Sequence, residues 1–246
     1  MLRILALAMP KPRLPLVFLL ALSLLSGCGL LPEQIDETKN WSASKLYFTA
    51  KDNLNDGNFE RAIKLFESLE ARYPYGAYAQ QAQLEVAYAY YKDNEPASAV
   101  AACERFIKLH PNHPHVDYAY YLRGLANFVE DQSLFARFGD QDMSDRDPKA
   151  AREAFEAFQQ LVTRYPESKY APDAVARMKY LVNALAASEV NVARYYYKRG
   201  AFVAAANRGK YVLEHYQQSP ALEEALAIMA RSYEKLGLND LRDDAL

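Results

Sequence analysis

Four stretches of this chain share one spacing, and that spacing limits the fold more than any other feature. Gly57-Asn-Phe-Glu-Arg-Ala62 leads to Phe66, Leu69 and Tyr73-Pro74. Ala99 leads to Cys103, Phe106 and His110-Pro111, and Ala154 leads to Phe158, Leu161 and Tyr165-Pro166. Gly200-Ala-Phe-Val-Ala-Ala205 leads to Gly209, Val212 and Tyr216-Gln217. In each, the alanine stands 12 residues before the terminal proline or its substitute. Positions four and seven residues after that alanine fall on one helical face, and proline stops the helix. A strand, with its period of two, has no use for this pattern.

Helical patterns also occupy the intervals, over Ala43 to Asn55, Tyr78 to Asp93, Val116 to Glu130, Tyr170 to about Lys198, and Leu222 to Leu236. Small residues recur on these first helices at Ala50, Ala87, Gly124 and Ala230. The unit is therefore helix, turn, helix, and then a proline-terminated turn. It resembles the tetratricopeptide repeat, a 34-residue helix pair. The expected fold is all-α, a tetratricopeptide-repeat solenoid of about five helix pairs over residues 42–246, its last repeat short. The third repeat carries an insertion, because the step from Ala99 to Ala154 is 55 residues where the preceding step is 37. The surplus is Asp131 to Pro148. The 51-residue step to Ala205 predicts at least one lengthened helix.

The N-terminus reads as an address. Lys11 and Arg13 precede an apolar run from Leu14 to Leu25, followed by Leu25-Ser26-Gly27-Cys28. That is a basic region, a hydrophobic region and a small-residue cleavage site. A dozen apolar residues are too few for a bilayer core that needs about twenty. Leu25 to Cys28 resembles the bacterial lipobox, which implies a signal peptide over 1–27 and a mature chain starting at an acylated Cys28. Residues 28–41 then form a polar tether. Glycine rather than aspartate follows the cysteine, which in enterobacterial-type sorting implies the outer membrane, with the chain on its inner leaflet and facing the periplasm.

Charge narrows the partners. From Cys28 onward, 26 basic side chains face 31 acidic ones. A mildly acidic chain without a basic run is a poor match for nucleic acid, whose affinity depends on clustered Lys and Arg. Two cysteines make no disulfide framework, and Cys103 falls in a core slot of its repeat helix.

In such a stack the first helices line the concave side. Steps of three and four residues along them select one stripe. It contains Tyr47, Lys51 and Leu54, then Leu84, Tyr88 and Tyr91, then Tyr118, Tyr121, Leu125 and Phe128. An aromatic-rich groove suits an extended or helical peptide with apolar anchors.

Catalytic and metal motifs are missing. His110, His113 and His115 lie close together, but Pro111 and Pro114 interleave them in a turn and no further ligand stands nearby, so they read as turn histidines. Asp140 to Asp147 fails as a calcium loop, since its glycine position is Asp145 and its twelfth position is Ala151. Asp147 instead reads as an N-cap, with Pro148 at the first helical position. No nucleophile grouping or phosphate loop is present. The chain is expected to be no enzyme and to need no cofactor beyond the lipid on Cys28.

Longer strings add a family resemblance. Arg72-Tyr-Pro-Tyr-Gly-Ala-Tyr-Ala-Gln-Gln81, Ala89-Tyr-Tyr-Lys92, Arg105-Phe-Ile-Lys-Leu109, Ser144-Asp-Arg-Asp-Pro148 and Arg199-Gly-Ala-Phe-Val-Ala204 with Asn207-Arg208 are similar to the BamD family, lipoproteins of the β-barrel assembly (BAM) machinery. Here the second helix of the fifth repeat would begin near Asn239 and reach only Leu246, whereas members of the family usually continue further. The resemblance implies a role in folding and inserting outer-membrane β-barrels, with three kinds of partner: unfolded barrel clients, accessory BAM lipoproteins and the periplasmic domains of BamA. It implies that the N-terminal repeats receive clients and the C-terminal repeats dock on BamA. Asn207 and Arg208 match the family string and are the expected BamA contact, the arginine facing a carboxylate. Phe135, Phe138, Asp145 and Arg146, in the insertion, read as a shared contact or a packing plug. The rival reading is a periplasm-facing repeat lipoprotein that scaffolds cell-wall enzymes or another envelope complex.

Overall fold

The computed structural model describes residues 36–128 and 148–246. The expectations for Cys28, the signal segment, Phe135, Phe138, Asp145, Arg146 and the Asp147 cap lie outside the described residues. Two compact units divide the chain, Met1–Trp41 and Ser42–Leu246. Of the first unit, 36–41 form a turn in which the Asp36 carboxylate accepts from the Thr38 N–H at 2.9 Å and its hydroxyl at 2.7 Å.

In the second unit every regular element among the described residues is a helix. They are α1 (Ala43–Asn55), α2 (Phe59–Arg72), α3 (Ala77–Lys92), α4 (Pro96–Leu109), α5 (Val116–Asn127), α6 (Pro148–Arg164), α7 (Ala171–Lys198), α8 (Phe202–His215), α9 (Leu222–Leu236) and α10 (Asn239–Asp244). Each packs against the next in sequence, so the described residues of this unit form a stack of five helix pairs. It is the all-α solenoid that the spacing predicts.

The repeat positions explain why the stack holds. Ala62, Phe66 and Leu69 on α2, Ala99, Cys103 and Phe106 on α4, and Ala154, Phe158 and Leu161 on α6 are fully buried. Ala205 and Val212 continue the series on α8. Ala50 and Ala87 are also fully buried, and Gly124 lies so close to the Phe158 ring that any Cβ there would overlap it. The alternation of large and small residues brings helix axes close enough to exclude water.

Turns follow local chemistry. Gly57, Asn94 and Gly200 occupy matching turns within their pairs, with φ of 81°, 61° and 76°. This left-handed backbone is open to glycine and tolerated by asparagine. Ser42 caps α1 by accepting from the Lys45 N–H. Pro148 opens α6.

The long repeat step resolves into α7, 28 residues in one helix. Leu181 and Leu185 enter one apolar cluster with Phe106, Tyr120 and Phe158. Ala186, Val190 and Ala193 enter a second with Ala205 and Val212. One uninterrupted helix thus joins the two cores.

Candidate functional site

The first helices of the pairs touch their counterparts: α1 meets α3, α3 meets α5, and α7 meets α9. α1, α3 and α5 thus adjoin in turn, and an ion pair from Lys51 to Glu85 ties α1 to α3.

Tyrosines run along the face expected to line the groove. The Tyr47 ring lies 5.4 Å from Tyr78 and 6.0 Å from Phe66. Burial, then the charge of Glu85, then Tyr78 raise its phenol above the usual range. Tyr88 and Tyr91 stand one turn apart on α3, ring centres 6.5 Å apart and both half-buried. Tyr118 on α5 packs at 5.3 Å against Tyr170. Its phenol is pushed up by burial first, with Tyr88, Tyr170 and Glu85 adding, so α3, α5 and the start of α7 converge there.

Tyr121 is the most firmly held member. Its ring stacks on Tyr170 at 4.8 Å and 16°, and its hydroxyl donates to Asp173 Oδ2 at 2.7 Å. Arg177 Nε donates to the same oxygen at 2.6 Å. Burial first, then the bond to Asp173 and its charge, push the Tyr121 phenol to about 12, with Arg177 acting in the opposite direction. Burial would raise the Asp173 carboxyl, but the bonds from Tyr121 and Arg177 outweigh it and hold the group below its ordinary value. Leu84 and Leu125 are half-buried against the same cluster.

Two residues expected on this face belong elsewhere. Phe128 is 8% exposed and belongs to the core, with Phe158 at 6.2 Å and Tyr180 at 5.7 Å. The reason is local: α5 stops at Asn127, and Phe128 takes φ −83° and ψ 86°, leaving the helical path before its ring is placed. Leu54 is buried as well. Tyr78, Tyr170, Asp173 and Arg177 join the face and were missed. Tyr170 and Asp173 open the first helix of the next repeat, so the stripe pattern extended by one unit would have found them.

At the other end, Asn207 and Arg208 are exposed on α8. Arg208 Nη1 donates to Glu189 Oε2 on α7 at 3.0 Å. Arg152 Nη2 on α6 lies 3.6 Å from Glu189 Oε1. The carboxylate expected from a partner is supplied, at least in part, by the chain itself.

The three histidines are held in their turn. His110 Nε2 bonds Gln83 Oε1 at 2.7 Å, His113 Nδ1 accepts from the His115 N–H at 3.1 Å, and His110 and His113 each pack 5.1 Å from Phe106. Among the described residues no group of three metal-ligating side chains comes together. No described helix is long and apolar enough to cross a membrane.

Comparison with known proteins places these features in context. A family model described as outer membrane lipoprotein, YfiO, matches residues 39–246. A protein of Neisseria meningitidis named outer membrane protein assembly factor BamD is 53% identical over 225 residues, covering 92% of this chain and 84% of that protein. The protein of the same name from Vibrio cholerae is 40% identical over 222 residues, covering 90% and 91%. Among solved structures, the crystal structure of MamA protein aligns with a TM-score of 0.37 at 17% identity, over 82% of this chain and 87% of that one.

Proposed function

The chain belongs to the YfiO family of outer membrane lipoproteins and is similar over most of its length to outer membrane protein assembly factors named BamD, and from that premise we propose that it works in the BAM complex by binding rather than by catalysis. Acyl chains on Cys28 hold it on the inner leaflet of the outer membrane, and the solenoid extends into the periplasm. Its first three repeats receive segments of unfolded barrel proteins, and α8 meets the periplasmic domains of BamA through Asn207 and the open edge of Arg208. Accessory BAM lipoproteins complete the set of partners.

The observation that carries this reading is the row of tyrosines on adjoining first helices, from Tyr47 through Tyr88 and Tyr91 to Tyr118 and Tyr121. Rings with few rotatable bonds give contact area at small entropic cost, and each hydroxyl can satisfy a backbone group of an extended client. Capture by such a face is weak and reversible. Weak capture is enough where a membrane anchor raises the effective concentration of both partners.

Depletion in cells tests the assignment. Loss of β-barrel proteins from the outer membrane with wall cross-linking unchanged is the expected result. Altered cross-linking with normal barrel content would instead support a scaffold for wall enzymes.

A further inference from the structure

Two kinds of tyrosine occur among those read as client-binding. Tyr88 and Tyr91 lie on one helix, 6.5 Å apart, and neither hydroxyl is held by a carboxylate among the described residues. Tyr121 is braced from the next repeat. Its hydroxyl donates to Asp173 at 2.7 Å, 52 residues further along the chain, and its ring stacks on Tyr170. The brace reaches back to the core. Asp173 lies in the first turn of α7, where the helix dipole favours a carboxylate. Arg177, one turn on, donates to the same oxygen at 2.6 Å, and its guanidinium carbon stands 4.8 Å from the centre of the Phe128 ring. Phe128 in turn packs on Phe158. A core ring thus seats an arginine, the arginine steadies a carboxylate, and the carboxylate holds Tyr121.

We propose that Asp173 is a positioning residue for client capture. By fixing Tyr121 flat against Tyr170, it builds a two-ring platform across the third and fourth repeats before any client arrives. The proposal deepens the client-binding reading of the tyrosines and rests on it. The Asp173 side chain is 48% exposed, so its ion pair with Arg177 adds little to the stability of the fold. What the bond to Tyr121 removes is the freedom of that ring. Ordering a side chain at the moment of binding costs affinity, and a segment that settles on rings already ordered avoids the cost. The charge of Asp173 is already matched by Arg177, which argues against a direct ionic contact with the client.

The test measures, by fluorescence anisotropy, how the full-length chain in detergent binds a fluorescein-labelled membrane strand of about ten residues from an outer-membrane barrel protein. Urea unfolding of each variant runs alongside. Asp173→Ala and Tyr121→Phe are each expected to weaken binding about three- to tenfold. The double variant should lose no more than the weaker-binding single, because both remove one bond. Asp173→Asn keeps an acceptor oxygen and should stay within about twofold of the parent. Weaker binding in Asp173→Ala but not in Tyr121→Phe gives the carboxylate a client contact of its own and overturns the proposal. So do losses that multiply in the double variant, failure of Asp173→Asn to preserve binding, or a lower urea midpoint with unchanged affinity. In those outcomes Tyr88→Ala still weakens binding, and the client reading stands. If Tyr88→Ala and Tyr91→Ala both leave the affinity unchanged, these tyrosines do not hold clients, and the proposal falls with that reading.

Discussion

Arg208 and Glu189 face each other across α8 and α7, guanidinium Nη1 to carboxylate Oε2 at 3.0 Å, with the glutamate side chain only 9% exposed and the arginine 45%. Arg152 holds the second carboxylate oxygen from α6. Three consecutive helices therefore meet on one nearly buried charge. A partner that binds Arg208 must use its open edge or draw it away from Glu189.

Arg208→Ala is expected to cost about 1–3 kcal/mol, since Glu189 stays nearly buried with one arginine instead of two. Urea unfolding measures this loss. A double-mutant cycle with Arg152→Ala should show the two arginines coupled through the shared carboxylate. Unchanged stability in Arg208→Ala would mean that the pair contributes nothing to the fold.

Gly209→Ala should destabilise although alanine is the better helix former. An added Cβ would stand 2.5 Å from Met229 Cγ and 2.8 Å from the Ala225 carbonyl oxygen, and the second of these is backbone that cannot step aside. Overpacking of this kind costs about 1–3 kcal/mol, readable as a lower urea midpoint. Gly124→Ala drives into the Phe158 ring and should behave alike.

Stability should fall on mild acidification because of His113. Burial, with His115 and His110 adding, holds its imidazole below the ordinary 6.5. The unfolded chain then binds a proton at a pH where the folded one does not. Stability from this group is complete above the ordinary imidazole value and declines as the pH drops through it towards the folded value. Urea midpoints at pH 7.5 and 5.5 should differ, and His113→Gln should narrow the difference.

Cys103 should be inert in the native protein. Burial pushes its thiol to about 12, so almost no thiolate exists at neutral pH. A chromogenic disulfide reagent should leave it unreacted until urea exposes it. Fast labelling under native conditions would show that the α4 core opens locally.

Most of the architecture was legible because repeat spacing is a local property. The alanine-to-proline interval located α2, α4, α6 and α8, and the residues four and seven places on are buried, or in Gly209 packed against α9. The small residues Ala50 and Ala87 marked buried positions, and Gly124 a close approach to Phe158, for the same reason. Legibility ended where geometry is non-local. Phe128 continues the stripe in sequence, yet the helix ends one residue before it and the core takes the ring. Arg208 shows only that it is a helical arginine, while its partner Glu189 lies 19 residues away on a helix whose rotation depends on both cores. Tyr170 reads as the residue after a turn, and only the stacking of α5 on the next repeat reveals it as the platform for Tyr121.

The central claim is that the tyrosine face holds clients while α8 holds the barrel-forming component. A photo-reactive amino acid at Tyr88 and, in a separate strain, at Asn207, followed by identification of the adducts formed in living cells, tests it directly. The account predicts outer-membrane barrel precursors at position 88 and BamA at position 207. Wall-modifying enzymes at either position, with no barrel protein at both, would contradict it.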